Sequence, residues 1–447
     1  MLNHANGLSA ADMARYTDAY EHDALRRAMT NAFSKGTIND LAFNPIAARK
    51  MQFKFSIDIK TMSATNQKSS GRCWLFAATN VLRERIAKEL NLDSFELSQS
   101  YLALWDKFER VNYYFESILD TAALPADDRT VSYIVQTGVH DGGQWDMFVN
   151  IVKKYGVVPK DAMPETQQSS ATANLNMLLN RYLRRCTPIL RGMVQRGESA
   201  DAIQAAKDEM LGKCWSFLLS CYGEPPAQFD FEYVDKDKNY HVERGLTPAS
   251  FTEKYVGNML DDYVSVIHAP TADKPFGKLY TVAYLGNVVG GADVAYLNLD
   301  MPAFKEAVLA QMKDGEIVWF GSDCGKYGEG TKKQWDDASY DYELVSGLDL
   351  DISKADMLDY HVSQMNHAMV LTGVNLNEAG APDRWKIENS WGADGANGGY
   401  HMASDSWFDK FVYQAVVQKK YLAAYADVLA GTPAVLDPWD PMGSLAD

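Results

Sequence analysis

The feature that most constrains this chain is the change from a polar loop to an apolar helix at Cys73. The loop covers residues 66–72 and contains a glycine. Apolar residues then recur at helical spacing, which predicts an amphipathic helix over residues 74–90: Leu75, Leu82, Ile86 and Leu90. Because N–H groups at a helix N-terminus favour a thiolate over a thiol, Cys73 is a candidate nucleophile. The alternative is a small buried side chain at the start of a core helix, the usual role of a free cysteine.

Two residues of the loop support the catalytic interpretation. Arg72 adds a positive charge directly before Cys73. Gln67 lies six positions before Cys73, so its side-chain amide can turn back towards the sulfur. An amide donor at that place could bind the oxygen of a carbonyl that the sulfur attacks.

Two later stretches carry the partners that a cysteine nucleophile needs. His367 begins a short β-like apolar run, and Asn389 follows another. An imidazole can take the thiol proton and later give it to the leaving amine, and a third group can fix the ring. Alone, either residue has a plain structural explanation, as a core histidine or a turn asparagine. Together with Cys73 and Gln67 they predict a catalytic set.

These motifs resemble the papain superfamily of cysteine peptidases. The matching stretches are Asn-Gln-Lys-Ser-Ser-Gly-Arg-Cys-Trp at 66–74, Asn-His-Ala at 366–368 and Glu-Asn-Ser-Trp-Gly at 388–392. The first of them, and the ending Trp-Asp-Pro-Met-Gly-Ser-Leu-Ala at 439–446, are more similar still to the bleomycin hydrolase and aminopeptidase C branch. The resemblance runs over essentially the whole chain.

The resemblance implies an α+β fold of papain-like type, in which a helical lobe faces a β-rich lobe across a cleft. His367 follows Cys73 by 294 positions, against roughly 130–150 in simple papain-like enzymes, so we expect a large, mainly helical insertion. The expected organisation is an N-terminal arm (1–60), the helical lobe (61–160), the insertion (161–300), the β-rich lobe (301–432) and a C-terminal tail (433–447).

Within this family pattern, Cys73, His367 and Asn389 are the catalytic triad and Gln67 is the oxyanion donor. Gly142 and Gly143 match a segment that pairs with the substrate backbone, whereas without the resemblance they predict only a tight loop. Trp391 is expected to shield the bond between the histidine and the asparagine from water.

The C-terminal tail is expected to be a bound element. Its prolines exclude a helix or a central strand, and a disordered tail is the alternative. Its apolar residues Trp439, Met442 and Leu445 instead favour attachment to the core. The resemblance implies that the tail lies on the non-primed side of the cysteine, where Ala446 and the terminal carboxylate of Asp447 would meet the amino group of a substrate. The family often ends in lysine, so Asp447 leaves open whether the last residue is trimmed.

Charge and cysteine content limit the location and the partners. The 447-residue chain has a formal net charge of −16 and no Lys/Arg cluster, which disfavours nucleic acid and anionic membranes. The five cysteines have no framework spacing, and no apolar run reaches membrane-spanning length. Ser70 stands where secreted papain relatives carry a disulfide cysteine. We therefore expect a cytoplasmic protein with free thiols.

The sequence thus predicts a cytoplasmic cysteine aminopeptidase acting on peptides through a thioester on Cys73. No metal-ligand spacing and no phosphate loop is present, so we expect no metal or other cofactor. The insertion and the arm favour a homo-oligomer, and the resemblance implies a hexamer. An endopeptidase of the same family is one alternative. A nucleic-acid-binding or scaffolding oligomer is the alternative from another class.

Overall fold

The computed structural model describes residues 7–446. The α-helices of the described residues are α1 (Ala10–His22), α2 (Ala24–Phe33), α3 (Ile38–Ala42), α4 (Pro45–Ala48), α5 (Cys73–Glu89), α6 (Gln99–Asp120), α7 (Arg129–Thr137), α8 (Trp145–Tyr155), α9 (Gln167–Ser170), α10 (Ala173–Gln195), α11 (Ala200–Tyr222), α12 (Pro248–Tyr255), α13 (Met301–Lys313), α14 (Tyr342–Ser346), α15 (Lys354–Asp359), α16 (Asp405–Phe411) and α17 (Ala426–Leu429). Short 3-10 segments lie at Lys160–Ala162, Met259–Asp262, Asp337–Ser339, Ala396–Gly399, Lys419–Tyr425 and Pro441–Ala446.

Most strands of the described residues belong to one large mixed sheet. The strands are β1 (Ile57–Asp58), β2 (Phe229–Val234), β3 (Tyr240–Leu246), β4 (Tyr263–Ile267), β5 (Lys278–Val282), β6 (Tyr296–Asn298), β7 (Val318–Ser322), β8 (Gly328–Glu329), β9 (Gln334–Trp335), β10 (His367–Leu376), β11 (Pro382–Glu388), β12 (Tyr400–Ser404), β13 (Val412–Gln418) and β14 (Ala434–Leu436). The sheet order is β14-β5-β6-β4-β13-β7-β10-β11-β12-β9-β8, and β1 pairs with β10. The remaining strands, β2 and β3, form a separate hairpin.

The chain divides into two compact units, and the smaller one combines the N-terminal helices with the segment Asp336–Ser353. Ser9 caps α1 through a capping box with Asp12, as its position in the sequence predicts. Within this unit, the Asp341 N–H donates to the Ala42 carbonyl at 2.7 Å. The N-terminal helices therefore form one unit with the segment Asp336–Ser353, which lies outside the range of 1–60 expected for the arm.

The helical half of the larger unit is built around α5, α6 and α8. Ser98 begins α6 by accepting the Tyr101 N–H at 3.0 Å, as the sequence predicts. The predicted helix after the polar loop begins at Cys73 and ends at Glu89. Its apolar residues are buried, as are the Trp74 and Trp145 side chains beside them. The start of α5 is thus fixed by packing on both neighbouring helices.

The β-rich half of the larger unit places His367 and Asn389 at the same end of two neighbouring strands. β10 begins at His367 and pairs antiparallel with β7, where His367 lies opposite Ser322. β11 is the other neighbour of β10 and ends at Glu388, directly before Asn389. Because antiparallel strands alternate in direction, the start of β10 meets the end of β11.

The predicted insertion is helical over only part of its range. Ser199 caps α11 by accepting the Ala202 N–H, and Gly223 ends it with a φ of 87°. The predicted hairpin is present as β2 and β3. However, β4, β5 and β6 join the same sheet as β7 and β10. Residues 263–298 therefore belong structurally with the β-rich half, and no break in the sheet marks the expected boundary at residue 300.

Among residues 7–446, no helix is both long enough and apolar enough to cross a membrane.

Candidate active site

Cys73 is the first residue of α5, and its sulfur lies in a buried position. The preceding Arg72 makes no side-chain cap, so the first-turn N–H groups stay available. The backbone N–H of Ala368 donates to the sulfur at 3.4 Å. This contact joins the cysteine to the residue that follows His367 on β10.

The Arg72 guanidinium does not have the role expected for it beside the sulfur, because it is paired with other groups. Its guanidinium pairs with Glu165 at 2.9 Å and donates to the Ser70 hydroxyl at 2.9 Å. With 2% of its surface exposed, the side chain is part of the core. Arg72 therefore stabilises the polar loop through Ser70, and the Glu165 carboxylate neutralises its charge.

Burial opposes the thiolate that the sequence predicts. It raises the pKa of the Cys73 thiol to about 11, although the N–H groups of Ala368, Trp74 and Cys73 itself act in the other direction. Burial also lowers the pKa of His367 to about 4. The buried site therefore disfavours a thiolate or an imidazolium formed alone, whereas proton transfer from sulfur to imidazole creates both charges together. The thiolate stays a prediction.

His367 and Asn389 are joined by a hydrogen bond of 2.9 Å between Nε2 and Oδ1. The Ser390 N–H donates to the same oxygen at 2.8 Å, which identifies this atom as the amide oxygen. Because an amide oxygen only accepts, Nε2 of the neutral ring carries the proton. Nδ1 is then the ring nitrogen that can receive a proton from sulfur.

Trp391 covers the imidazole. Its ring is stacked on that of His367, with centroids 4.9 Å apart and planes at 24°. Trp391 is 45% exposed, so the outer surface of its ring faces solvent, while Asn389 is fully buried. This arrangement is consistent with the expected shielding of the bond between His367 and Asn389.

Gln67 is held by the segment that carries Asn389. Its Oε1 accepts from the Ser390 hydroxyl at 2.6 Å, and its Nε2 donates to the Ser70 carbonyl at 2.5 Å. The Gln67 N–H also donates to the Ser390 carbonyl at 2.8 Å. The amide nitrogen has a second hydrogen that can serve a bound oxygen. Sequence reasoning missed Ser390 as the residue that orients Gln67, although it stands next to Asn389.

Gly142 and Gly143 are sites of close approach rather than of unusual backbone conformation. A methyl group on Gly143 would meet the Trp74 ring, and one on Gly142 would overlap the Leu445 carbonyl. The Gly142 carbonyl accepts from the Arg110 guanidinium. The glycine pair is therefore enclosed by the residue after Cys73 on one side and by the C-terminal tail on the other.

The end of the tail is ordered against these residues. Met442 through Ala446 are buried in the final 3-10 turn. The Met442 carbonyl accepts from Tyr296 at 3.2 Å and from Gln144 at 3.4 Å. The Ser444 hydroxyl donates to the Met365 carbonyl, two residues before His367, at 2.8 Å. Asp447, also predicted to meet the substrate, lies outside the described residues.

Within residues 7–446, no group of three or more His, Cys, Asp or Glu side chains has an arrangement suited to a metal ion. His140 and His401 lie near the motifs in sequence, and burial lowers the pKa of each to about 4.

Comparisons with known proteins identify the family of the chain. The model of the peptidase C1-like family matches residues 7–443. Aminopeptidase C of Streptococcus thermophilus is 48% identical over 430 residues, which cover 96% of each chain. Aminopeptidase C of Listeria innocua is 46% identical over 415 residues, covering 92% of this chain and 93% of the relative.

The crystal structure of PepW from Lactobacillus rhamnosis HN001 is 47% identical and superposes with a TM-score of 0.96. The match covers 98% of this chain and 99% of PepW. The predicted papain-like fold and the predicted resemblance are therefore confirmed. From residue 7 to residue 443, the chain belongs to the peptidase C1-like family.

Proposed function

We propose that this protein is a cysteine-type aminopeptidase that removes N-terminal residues from peptides. The observation that carries the proposal is the buried tail turn Pro441–Ala446, which covers Gly142 beside the start of the Cys73 helix. Relatives named aminopeptidase C cover almost the whole chain and support the same activity.

In the proposed reaction, Cys73 attacks the carbonyl of the first peptide bond. The thiol proton passes to Nδ1 of His367 as the sulfur–carbon bond forms. The Gln67 amide and the Cys73 backbone N–H hold the resulting oxyanion. Its collapse breaks the carbon–nitrogen bond, and the proton on His367 goes to the leaving amine. A thioester on Cys73 remains.

The thioester is then hydrolysed by water. His367, neutral again, takes a proton from the water as it attacks the thioester carbonyl. The second oxyanion occupies the same donors, and its collapse releases the amino acid and returns the proton to sulfur. Asn389 keeps the ring in one tautomer throughout, and the stacked Trp391 limits the access of water to that bond.

The tail gives the proposed activity its direction. Its buried turn fills the space beside Gly142 that residues on the amino side of the cleaved bond would need in an internal peptide. Gly142, Gly143 and Ala446 would then contact the N-terminal residue. A terminal carboxylate contributed by Asp447 would attract the free α-ammonium group, since opposite charges stabilise each other at short range.

The expected location and assembly belong to the same proposal. The five cysteines are free in the structure, which fits a reducing compartment such as the cytoplasm. A homo-oligomer, with six copies as the family resemblance implies, would use surfaces outside the described site. Its partners would be peptides, with neither nucleic acid nor membrane.

Amino-acid aminomethylcoumarins with free and with blocked amino groups test the proposal. The intact protein should cleave the free-amine substrates and refuse their blocked counterparts, and Cys73→Ala should abolish the cleavage of the free-amine substrates. Efficient cleavage of blocked substrates by the intact protein would favour the endopeptidase instead. Tight, salt-sensitive DNA binding at physiological salt would favour the nucleic-acid-binding alternative.

A further inference from the structure

Asp440 has a buried side chain whose two carboxylate oxygens have different partners. Oδ2 accepts from the Lys274 ammonium at 2.7 Å, whereas Oδ1 accepts the Met442 N–H at 2.8 Å. The first bond attaches the tail to the core. The second starts the final turn, in the manner of a helix cap. The Asp440 side chain is 7% exposed and that of Lys274 is 2% exposed, so solvent does little to screen this pair.

Lys274 is a rigid anchor for that carboxylate. The Asn298 side chain donates to the Lys274 carbonyl at 2.6 Å, which fixes the loop between β4 and β5. Burial acts to lower the pKa of Lys274, but the carboxylates of Asp440 and Asp273 outweigh it, so the pKa is raised. The ammonium group therefore stays charged where the tail arrives.

The preceding residue, Trp439, attaches the tail to a different element. Its ring lies 3.6 Å from the guanidinium carbon of Arg129 and meets the Tyr133 ring edge-on at 6.4 Å. Both partners belong to α7 of the helical half. Two consecutive side chains thus hold the tail to α7 and to the β4–β5 loop, immediately before the turn that covers Gly142.

We propose that the ion pair between Asp440 and Lys274 is a lock that keeps the final turn over Gly142, so that both are positioning residues for amino-terminal selectivity. This inference rests on the tail function proposed above. The ion pair lies at the start of the final turn. The Asp440 side chain bonds both to Lys274 in the β4–β5 loop and to the Met442 N–H in the turn. With the pair broken, Trp439 still tethers the tail, while the final turn keeps only its weaker contacts through Met442 and Ser444 and leaves the cleft more readily. The substrates admitted are then peptides whose amino groups are blocked or whose cleaved bond is internal.

The test compares variants that break the pair from either side. Asp440→Asn removes the charge and keeps an oxygen for the Met442 N–H, while Lys274 retains Asp273 at 2.7 Å. Lys274→Met removes the ammonium and keeps the length of the side chain. The matched control is Asp261→Asn, which breaks an exposed pair with Lys153.

We expect each pair variant to raise kcat/KM on blocked substrates and to lower it on free-amine substrates by about tenfold or more, within the range that loss of one buried ion-pair partner allows. The double variant should change selectivity no further than the stronger single variant, since both act through one bond. The control should behave as the unaltered protein does. Alkylation of Cys73 and the melting temperature show which variants keep the folded site.

Deletion of Ser444–Asp447 distinguishes the proposed tail function from the proposed lock. If the deletion admits blocked substrates and the folded pair variants do not, the lock is overturned and the proposed tail function stands. If neither change alters selectivity, the tail function fails and the lock with it. Faster trimming of the C-terminus by carboxypeptidase in Asp440→Asn, without loss of Cys73 alkylation, is the second expected result. Unchanged trimming would contradict the lock even if Lys274→Met did not fold.

Discussion

Replacing Gln67 by alanine tests the proposed oxyanion donor, and the structure indicates how large the effect should be. Loss of one such donor typically costs about 10²–10³ in turnover, or about 2.7–4 kcal/mol. Gln67→Ala also leaves the Ser390 hydroxyl without its acceptor and the Ser70 carbonyl without its donor. Each unpaired buried group destabilises the folded state by about 1–3 kcal/mol. Both turnover and melting temperature should therefore fall.

Ser390→Ala is a graded companion to this change. It keeps the Gln67 amide and removes only the 2.6 Å bond that orients its oxygen. The backbone bond from Gln67 to Ser390 and the bond to Ser70 remain. The amide is then less well positioned but still present, so we expect a loss of turnover of about tenfold, the equivalent of one ordinary hydrogen bond.

The assay separates oxyanion binding from nucleophile reactivity. Alkylation of Cys73 by iodoacetamide passes through no oxyanion, so both variants should be alkylated at the unaltered rate while kcat on a free-amine substrate falls. Gln204→Ala, at an exposed position on α11, is the control and should change neither. A loss below tenfold for folded Gln67→Ala would refute the assignment and leave Gln67 a structural role. An equal loss of alkylation would mean that the change had disturbed the cysteine itself.

Three further predictions concern the thiol, the imidazole and the assembly. Iodoacetamide should label Cys73 at neutral pH far faster than the other four thiols. In His367→Ala the pH at which labelling becomes fast should rise towards the thiol pKa of about 11, because burial raises that pKa and no base remains to take the proton. An unchanged pH dependence of labelling would exclude the imidazole as that base. The acid limb of kcat/KM should lie near pH 4, since burial lowers the pKa of His367 to about 4 and the neutral ring persists down to that pH; a limb near 6.5, its ordinary pKa, would contradict this. Sedimentation at micromolar concentration should show a closed oligomer, and a compact monomer would rule it out.

Much of the site was predictable because its signals are local in the chain. The start of α5 at Cys73 follows from a polar loop that meets a helical apolar pattern. The caps at Ser9, Ser98 and Ser199 depend on residues only three positions away. The catalytic residue types follow from the chemistry that a thiol nucleophile requires. The structure joins His367 to Asn389 and brings the residue after His367 to the sulfur.

Only the tertiary structure decided the contacts between residues that lie far apart in the chain. Ser390 orients Gln67 across 323 positions, and Lys274 meets Asp440 across 166. Local periodicity carries no information about such partners, because they are chosen by how strands and loops pack. The ion pair between Arg72 and Glu165 is another distant contact, and it forms because a charge buried in the core needs an opposite charge. The sequence by itself thus determined the helix that begins at Cys73, and it predicted the candidate nucleophile and the types of its partners. Packing decided which groups hold those partners, and it placed Leu445 and Ala446 over Gly142.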